Sequence, residues 1–171
     1  MNLLYVGIDD TDSPEGMCTT YITFVIINKL KSFGLNIIGY PKLIRLNPFA
    51  RFKTRGNGAV SFKISYRDDE ELNKIKNIIK ETVSKDAMME HENTNPGIVF
   101  YETHNDEGVD SRLKKFTYTA IYEILTITEA EELAKEIGCE FHQFKKGRGI
   151  IGSLAAIGAQ LEDKTYELLA Y

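Results

Sequence analysis

The sequence predicts an α+β (mixed α/β) domain whose helices pack on a mixed sheet. Over residues 3–103 the apolar patterning runs strand, helix, strand, strand, helix, strand, and more helix and strand follow. The chain has 171 residues, 43% apolar and 11% aromatic, enough to bury a core in one domain or in two small lobes sharing a cleft. It contains no internal repeat or low-complexity stretch.

Residues 3–8 (LLYVGI) read as a buried strand that ends in the acidic turn 9–14. From Cys18 to Phe33 the segment is mostly apolar. Its β-branched residues favour a strand, but its length, Lys29, Lys31 and the stop at Gly34 favour a buried helix. Residues 36–46 are extended, with Pro41 at a bend or an edge. Residues 59–66 alternate as a strand. Asp68 to Glu71 then open a helix with Leu72, Ile75, Ile78 and Ile79 on one face and acids preceding lysines, an order that suits the helix dipole. The turn Asn95-Pro96-Gly97 leads into a strand over 98–103, and a helix is expected at about 109–124. Thr128 and Glu131 predict a capping box for the next helix, which stops at Gly138. A short strand at 140–144, a small Ala-rich helix from Ile150 to Leu161 and a last strand at 165–171 complete the order. Segments 66–69 and 86–96 are the expected soft points, the second because it lacks any periodicity.

The formal net charge of −4 lacks the basic excess of a dedicated nucleic-acid binder, so RNA contact requires a local basic patch or parts outside this chain. Cys18 and Cys139 make neither a disulfide framework nor a zinc site and fit a reducing compartment. No charged n-region precedes Leu3, and no apolar run reaches the roughly 18 residues of a membrane span. A soluble, cytoplasmic protein is expected.

Three segments carry chemistry. Asp9, Asp10 and Asp12 sit where a buried strand gives way to a loop. Such carboxylates repel one another unless a cation or hydrogen-bond donors lie between them. Magnesium suits them, because it takes one or two carboxylates and leaves its other positions to water and phosphate oxygens. The alternative is a turn with Asx hydrogen bonds, with Asp12 as a helix cap. Thr19, in Met17-Cys18-Thr19-Thr20 at the start of the first helix, accepts or positions a phosphoryl group, unless it or Thr20 is simply the helix cap. The second segment is 41–58, where Lys42, Arg45, Arg51, Lys53 and Arg55 have no acid among them and Phe49 and Phe52 are interleaved. It ends in Lys53-Thr54-Arg55-Gly56-Asn57-Gly58. Glycine permits close approach of a ligand and the basic groups hold phosphate oxygens, of a triphosphate or of RNA. A solvated loop with an Asn-Gly hairpin turn is the alternative. The third segment, Phe144 to Ser153, gives the strongest signal. Gly147, Arg148, Gly149, Gly152 and Ser153 lie between a strand and an apolar helix, with Lys145 and Lys146 adjacent. Backbone N–H groups and the helix dipole there suit phosphate, though the pattern is neither a Walker A loop nor a dinucleotide fingerprint. A flexible connection with small residues for packing is the alternative. His91, His104 and His142 lack metal-ligand spacing.

Taken in order, GIDDTDS, GMCTTY, RLNP, KTRGNGAV, NPGIVF, GRGIIGSLAAIG and TYELLAY resemble the N-terminal half of archaeal tRNA 2-agmatinylcytidine synthetase, over nearly the whole chain. The resemblance implies an ATP-dependent ligase. One phosphoryl group of ATP activates the wobble cytidine of an isoleucine tRNA at its carbon-two oxygen, and the amine of agmatine displaces it. By the same likeness Asp9, Asp10 and Asp12 hold metal and triphosphate, and Thr19 is phosphorylated by the enzyme itself. The loops at 53–58 and 147–152 surround the nucleotide. A kinase-like catalytic domain with a ferredoxin-like portion, about 59–125, is implied, built from both ends of the chain. Residues 49–52 (Phe-Ala-Arg-Phe) depart from the more polar, Pro-containing stretch the family leads one to expect. The OB-fold and zinc ribbon that hold tRNA in the family have no counterpart up to Tyr171, so tRNA modification by this chain alone is expected to be weak or absent. A non-catalytic nucleotide- or RNA-binding module and a small-molecule phosphotransferase sharing the ATP site are the alternatives.

Overall fold

The computed structural model describes residues 1–53, 56–104 and 108–159. The expected strand at 165–171 and the end of the Ala-rich helix at 160–161 lie outside the described residues, as does Arg55. The elements are β1 (Asn2–Asp9), α1 (Thr19–Ser32), β2 (Ile37–Arg45), β3 (Gly58–Tyr66), α2 (Asp69–Asp86), β4 (Gly97–His104), α3 (Ser111–Tyr122), α4 (Ile127–Glu136), β5 (Glu140–Gln143) and α5 (Ile150–Gly158). Among the described residues no helix is long and apolar enough to cross a membrane.

The α+β class holds, but the sheet is antiparallel throughout instead of mixed, in the order β2-β3-β1-β4-β5. The reason is topological. The crossover through α1 carries the chain past one open position, and the β2–β3 hairpin fills it. The crossover through α2 then brings β4 to the other side of β1. Every strand thus lies beside one running the opposite way. The order β-α-β-β-α-β in this arrangement is the split-βαβ pattern of ferredoxin-like folds. It begins at β1 and takes in β3, α2 and β4 from the 59–125 stretch.

Side chains alternate across β1 and so build two cores. Leu4, Val6 and Ile8 pack with α1 and α2, through Ile22, Ile26, Leu30, Leu72, Ile75 and Ile79. Tyr5 and Val99 pack on the opposite face with α3, α4 and α5. Asp68 caps α2 by accepting from the Glu71 N–H, and Gly138 ends α4 with φ of +73°. Pro41 lies on the edge strand β2, at a register shift between Ile38 and Lys42.

The capping box of α4 is Thr126 with Glu129, not Thr128 with Glu131. Two Thr-x-x-Glu pairs overlap there, and starting at the earlier one adds Ile127 to the apolar face beside buried Ala130 and Ala134. Thr126→Ala should therefore cost about 1 kcal/mol in urea unfolding, whereas Thr128→Ala, at an exposed site, should stay within about 0.5 kcal/mol. Equal effects would contradict this register.

The helix α5 is apolar all round, and its residues are buried except Ile151. It lies directly on the sheet. A Cβ on Gly7 of β1 would come within 2.0 Å of the Ser153 carbonyl oxygen, and one on Gly97 of β4 within 2.2 Å of the Ile150 nitrogen. This contact brings the late glycine loop against the N-terminal turn.

Candidate functional site

β1 ends at Asp9. The next residue, Asp10, has φ of +59°, a left-handed conformation that Asp tolerates better than most residues. That twist breaks the strand alternation, so Asp9, Asp10 and Asp12 all line one cavity of about 350 Å³. The other walls are the loop from Leu46 to Gly58, the α3–α4 link at 123–127, and Arg148, Ile151 and Gly152. The two ends of the chain meet here. An Arg148 Nη2 donates to Asp10 Oδ2 at 2.7 Å across 138 positions of sequence, and also to the Asn93 carbonyl at 2.7 Å. A Cβ on Gly152 would sit 2.0 Å from Asp9 Oδ2, so α5 brings backbone against that carboxylate.

Electrostatics at the turn are unfavourable to its charges. Burial, with the Asp10 charge second, raises the Asp9 carboxyl well above the usual carboxylate range. Burial pushes Asp10 up to about 7, against the opposing charge and hydrogen bond of Arg148. Among the described residues no three His, Cys, Asp or Glu side chains converge as a metal-holding group.

Of the expected site residues, Asp9, Asp10, Asp12, Lys53, Gly56, Asn57, Arg148 and Gly152 line the cavity. Lys53 turns its Nζ to the Pro48 carbonyl, and Asn57 Nδ2 donates to the Asn47 carbonyl at 2.8 Å. Thr19, Gly147, Gly149 and Ser153 are not among the lining residues. Thr19 is buried in the first turn of α1 and accepts a hydrogen bond from Thr11 Oγ1 at 3.1 Å. The N–H groups of Gly147, Gly149, Ile150 and Ile151 already donate to the carbonyls of Phe144, Asn95, Gly147 and Arg148. What the loop offers the cavity is therefore the Arg148 side chain, Ile151 and Gly152. The missing Cβ of Gly149 admits chain instead of ligand, since a methyl there would lie 2.3 Å from the Gly97 nitrogen.

Ser153 is fully buried, and its hydroxyl is shared between the carbonyls of Gly97 at 2.8 Å and Gly149 at 2.7 Å. Ser153→Ala should lower stability by about 1 kcal/mol while leaving nucleotide affinity within twofold. A selective loss of nucleotide binding, with unfolding unchanged, would show the hydroxyl acting on ligand instead.

The stretch 88–95 escapes sequence reading. It has no periodicity, yet it clamps both halves of the site. Met88 N–H donates to the Thr11 carbonyl, Thr94 Oγ1 to the Asp12 carbonyl at 2.7 Å, and Gly149 N–H to the Asn95 carbonyl. Lys145 Nζ donates to the carbonyls of Met89 at 2.9 Å and His91 at 2.6 Å. Asn95-Pro96-Gly97 is the one local signal, and it announces a turn, not a clamp.

The fold and site thus define an α+β domain in which carboxylates from a β1 turn and a guanidinium from the α5 loop face a common cleft. The TiaS TCKD domain model matches residues 5–146, and the TiaS FLD domain model matches residues 147–171. The chain is 50% identical over 168 residues to the isoleucine-tRNA 2-agmatinylcytidine synthetase TiaS of Thermococcus sibiricus, and 52% identical over 169 residues to that of Pyrococcus horikoshii. Those alignments cover 98% and 99% of this chain and 38% of each relative. The crystal structure of TiaS in complex with its isoleucine tRNA and ATP superposes with a TM-score of 0.84 at 42% identity, over 95% of this chain and 37% of that one. The complex of TiaS with the same tRNA, AMPCPP and agmatine gives 0.84 at 40% identity, over 95% and 38%. The chain belongs to the TiaS family, and it spans a little over a third of the length of these relatives. The seam between the two matched domains falls at 146/147, so Asp9, Asp10 and Asp12 lie on one side of it and Arg148 and Gly152 on the other.

Proposed function

We propose that residues 1–171 form the ATP-handling region of an isoleucine-tRNA 2-agmatinylcytidine synthetase. The observation that carries this reading is the Arg148–Asp10 pair, which holds the acidic turn and the α5 loop on one cavity. An ATP triphosphate enters with its oxygens toward Arg148, whose fork suits phosphate. Lys53, Gly56 and Asn57 border the nucleotide from the opposite loop, and Gly147, Gly149 and Ser153 support the α5 side. One or two of Asp9, Asp10 and Asp12 would hold a magnesium ion that comes with ATP. When bound, it neutralises charge on the transferred group. The chain's own part is to orient the phosphates, set carboxylates beside them and exclude water with the Ile151 and Leu46 walls.

In the whole enzyme ATP gives AMP and two phosphates: one phosphoryl group passes to the cytidine oxygen, and the other is transferred to water and released as phosphate. The agmatine amine then attacks carbon two, and the carbon–oxygen bond breaks with loss of phosphate. The relatives carry their isoleucine tRNA, ATP and agmatine in their crystals, and we read the work of this chain as cytoplasmic. Thr19 is the residue through which the enzyme labels itself in this reading. Its hydroxyl lies one hydrogen bond from Thr11, the neighbour of Asp10. With γ-labelled ATP, wild type should become labelled and Thr19→Ala should lose at least 90% of the label, on the order of a tenfold effect. Equal labelling of both would remove Thr19 from the scheme.

A further inference from the structure

The loop from Leu46 to Lys53 presents apolar rings to water. Phe52 is 51% exposed and Phe49 86% exposed. Across the cavity mouth, at the end of α3 and just beyond it, Tyr122 and Ile124 are also exposed, and Phe52 and Ile124 line the same cavity. This arrangement does not follow from folding, since these rings remove little surface from water where they stand. The loop is nonetheless held in place. The Asn47 N–H donates to the Ala120 carbonyl, Asn57 bonds the Asn47 carbonyl, and Phe49 N–H donates to Asn47 Oδ1 at 2.8 Å.

Phe52 also has two cations beside it. The Arg51 guanidinium carbon lies 5.3 Å from the ring centre and that of Arg148 lies 5.6 Å away. Arg148 is the same side chain that bonds Asp10. One guanidinium therefore fixes the distance from the exposed ring to the acidic turn. The loop and its flanks from 41 to 58 contain Lys42, Arg45, Arg51, Lys53 and Arg55 and no acid.

An exposed aromatic ring between two guanidinium groups at a cavity mouth matches the way unpaired bases of single-stranded nucleic acid are held. The ring stacks the base and the cations meet the backbone. We propose that Phe52, flanked by Arg51, is a stacking platform for one unpaired base of single-stranded RNA, set at the mouth of the cavity so that the base projects toward the Asp10–Arg148 pair. The proposal rests on the reading of this cavity as an ATP- and RNA-handling site. It assigns the outer rim to the RNA and leaves the inner end to phosphates. The half-solvated position of Phe52 favours RNA over the adenine of ATP. A strand that runs past the mouth keeps its backbone beside Arg51, whose guanidinium carbon lies 5.3 Å from the ring centre.

Residues 1–171 contain no tryptophan, so Phe52→Trp gives a protein of these residues a single indole reporter. A five-nucleotide single-stranded RNA with a central cytidine should quench its emission. The same oligomer with an abasic central position should bind with little quenching. Phe52→Ala should weaken the cytidine oligomer by about tenfold or more and leave the abasic oligomer within twofold. Phe52→Tyr should restore RNA affinity. The proposal fails if RNA leaves the indole unquenched while ATP still binds, if ATP alone quenches it (the ring then serves adenine), or if Phe52→Ala and Phe52→Tyr bind RNA alike. Loss of ATP binding by the wild-type protein would instead strike the function proposed above, and RNA-dependent quenching would still report the platform.

Discussion

Gly7→Ala should destabilise the protein by on the order of 3 kcal/mol or more, lowering its melting temperature by about 6–12 °C for a chain of this size. The added methyl would stand 2.0 Å from the Ser153 carbonyl oxygen, 2.7 Å from its carbon and 3.1 Å from its Cα. All three are backbone atoms of α5. No rotamer change relieves the contact, so either the helix lifts or β1 sinks into the α1–α2 core, which is already filled by Leu4, Val6 and Ile8. Lifting is the cheaper path, and it has a second consequence. Gly152 lies one residue before Ser153 and packs its backbone on Asp9, and Arg148 reaches Asp10 from the loop that enters the same helix. The variant should therefore lose nucleotide affinity along with stability, in temperature-scan and ligand-titration experiments on the same sample. A melting point within about 2 °C of wild type would show that the helix–sheet contact is looser than described.

The same contact shows what a sequence can and cannot convey. Apolar period and glycine stops announce α1, α2 and α5 because those signals are local. The acidic turn and the basic glycine loops are equally local, and they name Asp10 and Arg148 as candidates, which pair on one cavity. Strand direction is different. It follows from which gap each crossover leaves open, so the residues of β1 do not reveal that both neighbours run against it. The glycines of the late loop are ambiguous for another reason. A missing Cβ admits a phosphate or another stretch of backbone equally well, and at Gly149 the neighbour is Gly97. Segment 88–95 gives no pattern at all because its order comes from donors far away in sequence, Lys145 and Arg148 among them. Thr126 and Thr128 offer the same capping motif two residues apart, and only the burial of the helix face chooses between them.

Asp10→Asn should reduce ATP turnover by on the order of 100-fold without reducing the stability of the ligand-free protein at neutral pH. The two halves of this expectation have one cause. Burial holds the Asp10 carboxyl at about 7 even with Arg148 beside it. An unfolded chain releases that proton near pH ~4. Between about pH 4 and 7 the unfolded state has lost the proton and the folded state keeps it, so this group costs the fold stability as pH rises through that window. Asparagine has no such proton, accepts a hydrogen bond from Arg148 through its amide oxygen, and relieves repulsion with Asp9 and Asp12. Urea unfolding of Asp10→Asn should accordingly show a flatter stability profile between about pH 4 and 7 than wild type. On the function proposed above, a cation bound with ATP would offset this charge, as shifted carboxylates at functional sites often require. Turnover that survives the substitution would mean that the acidic turn merely closes β1. A loss of turnover accompanied by a large loss of stability would mean that the Arg148–Asp10 pair holds the fold together instead of serving the ligand.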